Sequence, residues 1–145
     1  MWKVFLPVII YVFTSSVQEA SFLWVIDINN NRAIMLRNES LMNAAQWRAE
    51  YIENNDYFNH CTKEGDCPNR IITRFGCRHN YTENGNAVES LVRGTPNARE
   101  AYNSLLNSPS HRTHILGEIP MFKEQIYYGV GFYGTTFVFM SSSQC

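Results

Sequence analysis

The stretch Ser108-Pro109-Ser110-His111-Arg112-Thr113-His114 sets two imidazoles three residues apart. Ser-Pro is a helix-start signal, with serine at the N-cap and proline at the first helical position. His111 then falls in the first turn. The positive end of the helix dipole disfavours imidazolium there and keeps the ring neutral, as a metal ligand or a base requires. His114 lies about 300° further round at ~100° per residue, on a neighbouring face. Two-histidine metal sites on one helix favour i, i+4 spacing, so this pair calls for partners from elsewhere. Two other polar stations carry chemistry-bearing groups. Tyr57-Phe58-Asn59-His60 ends a helix with an aromatic pair and a histidine, and Thr82-Glu83-Asn84-Gly85-Asn86 holds a carboxylate in a polar run. Taken singly, each has an ordinary use: a solvated cap, an exposed glutamate, a ring bonded to backbone. His79 belongs to no such station.

The elements that would position these groups follow from periodicity. A first helix is expected over 22–36, with Trp24, Val25, Ile28 and Arg32 recurring at helical intervals. Asn38 or Ser40 caps a second helix running to about residue 54, with Leu41, Ala45, Ala49 and Ile52 as its apolar stripe. Residues 59–70 read as a loop, 71–75 as a helical turn or a short strand, and 78–81 as the start of a strand. Thr95-Pro96 opens a helix with Thr95 as N-cap, whose buried face is Ala98, Ala101, Tyr102, Leu105 and Leu106. The Ser108-Pro109 helix stops at Gly117, which suits the left-handed position after a helix end. Residues 126–132 and 135–140 form a hairpin about Tyr133-Gly134. Helices lead and strands close, so the class is α+β.

The chain of 145 residues is long enough to bury the core of one domain. Its 45% hydrophobic and 17% charged residues are those of a globular protein. A formal charge of −1 and a pI near 6.4 give no electrostatic basis for binding nucleic acid or an anionic membrane. Residues 1–20 read as a signal peptide: Lys3, an apolar run from Val4 to Phe13, then small polar residues, with cleavage after Ser16 or Ala20. The apolar run is about ten residues, short of the roughly 20 that span a bilayer. The mature domain is then 21–145, and its membrane contact is confined to the removed leader.

Cysteine usage agrees with export. Cys61, Cys67, Cys77 and Cys145 are even in number and lack CxxC spacing, so they read as two disulfides with three possible connectivities. The pairing expected is Cys61–Cys67, closing a short polar loop, and Cys77–Cys145, tying the last residue to the domain body. Asn38-Glu39-Ser40 and Asn80-Tyr81-Thr82 are N-glycosylation sequons.

Together these features resemble the CAP superfamily of cysteine-rich secretory, antigen 5 and pathogenesis-related 1 proteins, and in particular its small single-domain bacterial branch. The likeness rests on Asn29 and Arg32 in the first helix, on Leu41, Ala44, Ala45 and Ala49 in the second, and on Phe58-Asn59-His60. It continues through Glu83-Asn84 and the Ser108–Leu116 motif to Gly129-Val130-Gly131. Thr82, Gly85, His114 and Leu105 depart from the family pattern, and no second glutamate precedes His111.

The resemblance implies a three-layer α-β-α sandwich with a small, mainly antiparallel sheet and a cleft where His60, Glu83 and His111 meet. Asn84, Ser108 and His114 would flank it. Two imidazoles and a carboxylate suit a divalent cation such as Zn²⁺, or Mg²⁺, with a further position left to water. The resemblance further implies a secreted binding or interaction domain, whose partner is a lipid, a sterol or another small apolar ligand, or an extracellular protein. The alternative is a metal-dependent, peptidase-like hydrolase in the same cleft, with Glu83 as base.

Overall fold

The computed structural model describes residues 16–145, and side chains from Trp24 onward. The apolar run of the expected leader lies outside the described residues. In chain order the elements are α1 (Ser16–Asn31), β1 (Leu36–Arg37), α2 (Glu39–Asn55), α3 (Pro68–Arg74), β2 (Glu89–Arg93), α4 (Ala98–Leu106), α5 (Pro109–Ile115), α6 (Pro120–Lys123), β3 (Tyr127–Tyr133) and β4 (Thr136–Ser142). The strands form one sheet in the order β1-β3-β4-β2. β1 runs parallel to β3, and the other pairs are antiparallel.

Strand alternation divides the core into two halves. On β4, Phe137 and Phe139 face one way and join Trp24 and Ile28 of α1, Ala101 and Leu105 of α4 and Ile115 of α5. Val138 and Met140 face the other way and join Leu41, Ala45, Ala49 and Ile52 of α2 and Ile71 and Ile72 of α3. The sheet is therefore the middle of three layers, an α+β arrangement. Trp24 Nε1 donates to the Ala98 carbonyl at 2.8 Å and ties α1 to α4 within the first outer layer.

Gly129 and Gly131 set how closely the second layer approaches. They are alternate residues of β3, and a Cβ on either would stand 2.1–2.2 Å from the backbone of Leu41 or Ala45. Helix α2 thus lies directly on the strand. β1 pairs with only Tyr127 and Tyr128, which leaves the rest of that β3 edge open. α2 covers it: the Gln46 side-chain amide donates to Phe132 O (2.9 Å) and accepts from Phe132 N (3.1 Å), as a neighbouring strand would.

Several expected boundaries move, each for a local reason. α1 ends at Asn31, not at residue 36, because Leu36 N must reach Ile126 O (2.7 Å) to form β1. The intervening turn is closed by Asn29 Oδ1, which accepts from Met35 N. Asn38 is the N-cap of α2, as expected. The α4 N-cap is Asn97, not Thr95. Asn97 accepts from Glu100 N, while Thr95 binds Asn97 N and the Glu100 carboxylate. α3 starts at Pro68, inside the expected 59–70 loop, because proline at the first helical position opens it, and it takes in 71–74 with Phe75 as its C-cap. Residues 78–81 do not form a strand, since only Arg78 bridges, to Gln144. The strand that completes the sheet is β2, some ten residues later. The hairpin turn is Gly134-Thr135, with Gly134 at φ +59. Both disulfides pair as expected, Cys61–Cys67 and Cys77–Cys145.

The contact between β3 and α2 generates a prediction. Gly131→Ala cannot be relieved by side-chain motion, because the clash is with helix backbone. It should destabilise the domain by about 3 kcal/mol or more, or prevent folding. Gly65→Ala, in open space but at φ +90, should cost only about 1 kcal/mol. Urea denaturation of the two variants checks the ordering.

Candidate functional site

Arg48 lies on the same stripe of α2 as Leu41, Ala45 and Ile52 and is fully buried. A guanidinium in that position demands a carboxylate. Glu89, the first residue of β2 and equally buried, supplies it: Nε to Oε2 is 2.7 Å and Nη2 to Oε1 is 3.2 Å. Arg48 Nη2 also donates to Asn59 O at 2.6 Å, so the pair grips the loop that leaves α2. Nη1 is buried with no partner among the described residues.

The next residue of that loop is His60, whose Nδ1 stands 3.0 Å from Glu89 Oε1. The Asn86 amide is oriented by its oxygen, which accepts from Val88 N and Glu89 N, so its nitrogen, 3.1 Å from the same Nδ1, is a donor. Nδ1 has a single in-plane position, and a bare Nδ1 would set its lone pair against the carboxylate; Nδ1 therefore carries the proton and donates to Glu89, while the Asn86 amide donates to Glu89 O at 3.0 Å and only approaches the ring. That leaves His60 Nε2 as a lone pair with no hydrogen-bond partner among the described residues, on a ring whose side chain is 42% exposed.

His60 and His111 line one cavity of about 170 Å³ with Glu89, Asn86, Ser90, Ser110, His114 and Phe122. They also line an adjoining cavity of about 310 Å³ with Phe58, Asn59 and Leu91. The two imidazoles therefore stand between a polar inner compartment and a more apolar outer one. Burial, and secondarily the nearness of His60, hold the His111 pKa below the usual histidine value, which favours its neutral ring.

His114 is more than a flanking residue. It is buried, with Nδ1 2.7 Å from Ser90 Oγ and Nε2 2.7 Å from Ser141 Oγ. The Gln125 nitrogen donates to Ala87 O and Tyr81 Oη, which turns its oxygen toward Ser141. Ser141 donates to that oxygen at 2.5 Å, so it accepts from His114 Nε2–H, and Nδ1 accepts from Ser90. Burial pushes the His114 pKa down to about 3; the network bond to Gln125 opposes this, and Arg32, His111 and His60 add to it. Ser90 thus has the outline of a nucleophile beside a base, but the base is too weak to hold a proton near neutral pH.

Other expected positions lie elsewhere. Glu83 is not brought to His60 and His111. It is half-exposed, 3.8 Å from both Arg70 and His79. Asn84 accepts from Arg70 at 2.8 Å and is likewise away from the cleft. Ser108 is the N-cap of α5, with no side-chain capping bond. The imidazole of His79 is buried, bonded to Asn69 O at 2.7 Å and stacked on Tyr81. Among the described residues, no three His, Cys, Asp or Glu side chains are arranged around one metal position.

Glu89 takes the carboxylate's place beside His60, and two signals for it were present in the sequence. One is a lone carboxylate inside the apolar run Val88-Glu89-Ser90-Leu91-Val92. The other is Arg48 on an apolar helix face. Two opposite charges at positions that must be buried are expected to find each other.

No family model matches the sequence, and no curated protein matches it. Solved structures do share the fold. An extracellular protein containing an SCP domain from Bacillus anthracis str. Ames superposes with a TM-score of 0.72 at 17% identity, over 87% of this chain and 39% of that one. An outer surface protein from Borrelia burgdorferi gives 0.68 at 19% identity, over 89% of this chain and 96% of that one. The fold is thus SCP-like, as the resemblance implied. The chain spans well under half the length of the Bacillus protein.

Two predictions follow from the buried groups. Arg48→Met leaves the buried Glu89 without its guanidinium and with only the His60 N–H as side-chain partner, and should cost about 3–5 kcal/mol, whereas adding Glu89→Leu should restore much of that. Urea midpoints of the single and double variants measure it. The folded state lowers the His114 pKa, so the unfolded chain takes up the proton first. Stability is complete above about pH 6.5 and falls as pH drops toward 3, by on the order of 1.4 kcal/mol per unit. His111 adds to the upper part of the same window. Above the carboxylate range, from about pH 7 to about 5, His114→Gln should flatten the dependence of the urea midpoint on pH. An unchanged slope would assign the effect to other groups.

Proposed function

We propose that this SCP-fold chain is a secreted or surface-displayed binding module whose cleft holds a divalent cation, Zn²⁺ in preference to Mg²⁺, between His60 and His111. Two disulfides are stable in an oxidising compartment, which supports an extracytoplasmic site. The solved neighbours are described as an extracellular protein and an outer surface protein. No described helix is long and apolar enough to cross a membrane.

One observation carries the cation reading. His60 is held through Nδ1 by a carboxylate that is itself fixed by Arg48, so its Nε2 is presented to a cavity shared with His111. This is the outer-shell arrangement by which proteins orient a histidine ligand. Glu89 acts here as the orienting carboxylate, because Arg48 and His60 already occupy its oxygens. Imidazole nitrogens suit Zn²⁺, whereas Mg²⁺ prefers oxygen ligands. A bound ion would supply exchangeable coordination positions for a ligand atom, and the chain's own groups position and shield that ligand. With two imidazoles as its protein ligands, the site is a weak one that a ligand completes.

Hydrolysis is the less favoured reading, since Ser90 is almost fully buried and its partner His114 is a poor base. A second binding reading, for an apolar ligand such as a lipid, is favoured by a separate cavity of about 350 Å³ between α1 and α4. Trp24, Ile26 and Leu106 supply its apolar wall, and Asp27, bonded to Tyr102 Oη, lies among its polar residues. Mass spectrometry of lipid extracts from natively purified protein tests that reading.

The cation reading is tested by titrating Zn²⁺ into the parent protein and its variants by calorimetry. His60→Ala and His111→Ala should abolish measurable binding with little change in fold. Glu89→Gln should weaken binding by about 10–100-fold through the orientation of His60. Glu83→Ala should bind as the parent does and is the control. His79→Ala would be a poor control, because it opens a packed site. Affinity should fall with acid as His111 protonates, at a pH below the usual histidine range because burial lowers its pKa. Equal binding by the parent and both cleft-histidine variants would overturn the assignment.

A further inference from the structure

The two Asn-x-Ser/Thr sequences take no part in the cleft, and the fold leaves them in opposite states. Asn38 is built into the domain. Its Oδ1 caps α2 by accepting from Leu41 N at 3.1 Å. Its own N–H donates to Tyr128 O at 3.0 Å, and its carbonyl accepts from Met42 N at 2.9 Å. Ser40, the residue whose hydroxyl completes the motif, lies in the first turn of α2, and both are half-buried. Asn80 lies in the irregular segment between α3 and β2. Burial alternates along it: the His79 ring is enclosed, Asn80 is exposed, Tyr81 is partly buried and Thr82 is exposed.

The inward residues anchor this segment. His79 Nε2 is bonded to Asn69 O, His79 Nδ1 accepts from Tyr81 N, Tyr81 Oη accepts from Gln125, and Cys77 is in a disulfide. The outward side chains are unengaged, although the Thr82 carbonyl accepts from Asn69 Nδ2 at 2.7 Å. Neither the Asn80 amide nor the Thr82 hydroxyl has a side-chain partner among the described residues. Asn80 and Tyr81 lie in a bend, and Asn80 and Thr82, on either side of the partly buried Tyr81, are both exposed. The acceptor nitrogen and the hydroxyl that an N-glycosylating enzyme must engage together are thus both directed to solvent, on a stretch pinned from behind.

We propose that Asn80 is an N-glycan acceptor site and that Asn38 is not. The donor is a lipid-linked oligosaccharyl diphosphate. The sugar C1–Nδ2 bond forms as the C1–O bond to diphosphate breaks, the amide gives up one proton, and the lipid diphosphate leaves. A glycan on Asn80 displaces no buried contact, whereas one on Asn38 must leave from beside the cap of α2. The proposal rests on the export reading above, because the donor is met only by a translocated chain.

The test expresses the full chain in a eukaryotic secretory host in two forms, one with its own leader and one behind a leader supplied by the host. Intact mass is read before and after N-glycosidase treatment, which converts a glycosylated asparagine to aspartate and so marks it. The expected result is one glycan on both forms, lost in Asn80→Gln and in Thr82→Ala and kept in Asn38→Gln. An unglycosylated product from the supplied-leader form, or a mark at Asn38, overturns the proposal. A glycan on the supplied-leader form, with the own-leader form retained unmodified in the cell, supports the site and overturns the export reading instead. Far-UV circular dichroism and the absence of free thiols establish that the glutamine variants fold.

Discussion

Arg48 and Glu89 are both wholly buried, 2.7 Å apart, on a helix and a strand of the same core half. Neither charge would be tolerated there alone, so any arrangement of α2 against β2 other than the observed one carries a large penalty. Leu41, Ala45 and Ile52 could pack on the sheet in more than one register. The ion pair is satisfied in the observed one, where Gly129 and Gly131 also seat the helix backbone. The same pair extends outward: Arg48 holds the Asn59 carbonyl, Glu89 holds the His60 ring, and the first residue of the cleft inherits its position from a contact in the core.

The close approach of α2 to the sheet makes that contact possible. Gly129 and Gly131 present bare backbone to the helix, and Gln46 closes the adjoining strand edge with its own amide. The other outer layer is fixed differently, by an aromatic contact of Trp24 with Tyr102 and Phe137 and by the bond from Trp24 to the Ala98 carbonyl. The cleft takes its residues from both sides. His60 follows α2, His111 and His114 belong to α5, and Ser90 and Glu89 come from the edge strand. It is a seam between layers, held open by polar groups that satisfy one another.

Two histidines three residues apart on one short helix end with different chemistry. His111 faces the cleft and keeps partial access to water. His114 is enclosed between two serines whose hydrogen bonds run in one direction toward Gln125, so its ring stays neutral and its role is structural. Depth in the seam makes the difference: His114 lies in the last turn of α5, where the dipole would favour imidazolium, yet burial keeps its ring neutral. The distinction also separates binding from catalysis here: the exposed imidazoles can accept a ligand, and the buried one cannot serve as a strong base.

Much of this was legible in the residues. Helical and alternating periods, caps and Ser-Pro signals are local properties, and they defined α2, α5 and the closing hairpin to within a residue or two. The Phe58-Asn59-His60 and Ser108–Leu116 elements pointed to the two imidazoles of the cleft. The disulfide pairs were consistent with loop length and chain position. The carboxylate was not legible in the same way. Glu83 stands in a polar run that looks like a site, and Glu89 stands in an apolar run that looks like a core strand. Choosing between them requires knowing that β2 lies across from Arg48. That is a long-range relation, set when α2 settles on two glycines nearly ninety positions away in the chain. Sequence determines what each segment can bury. The tertiary structure decides which buried charges face each other, because the penalty for leaving one unpaired is felt only once the layers are assembled.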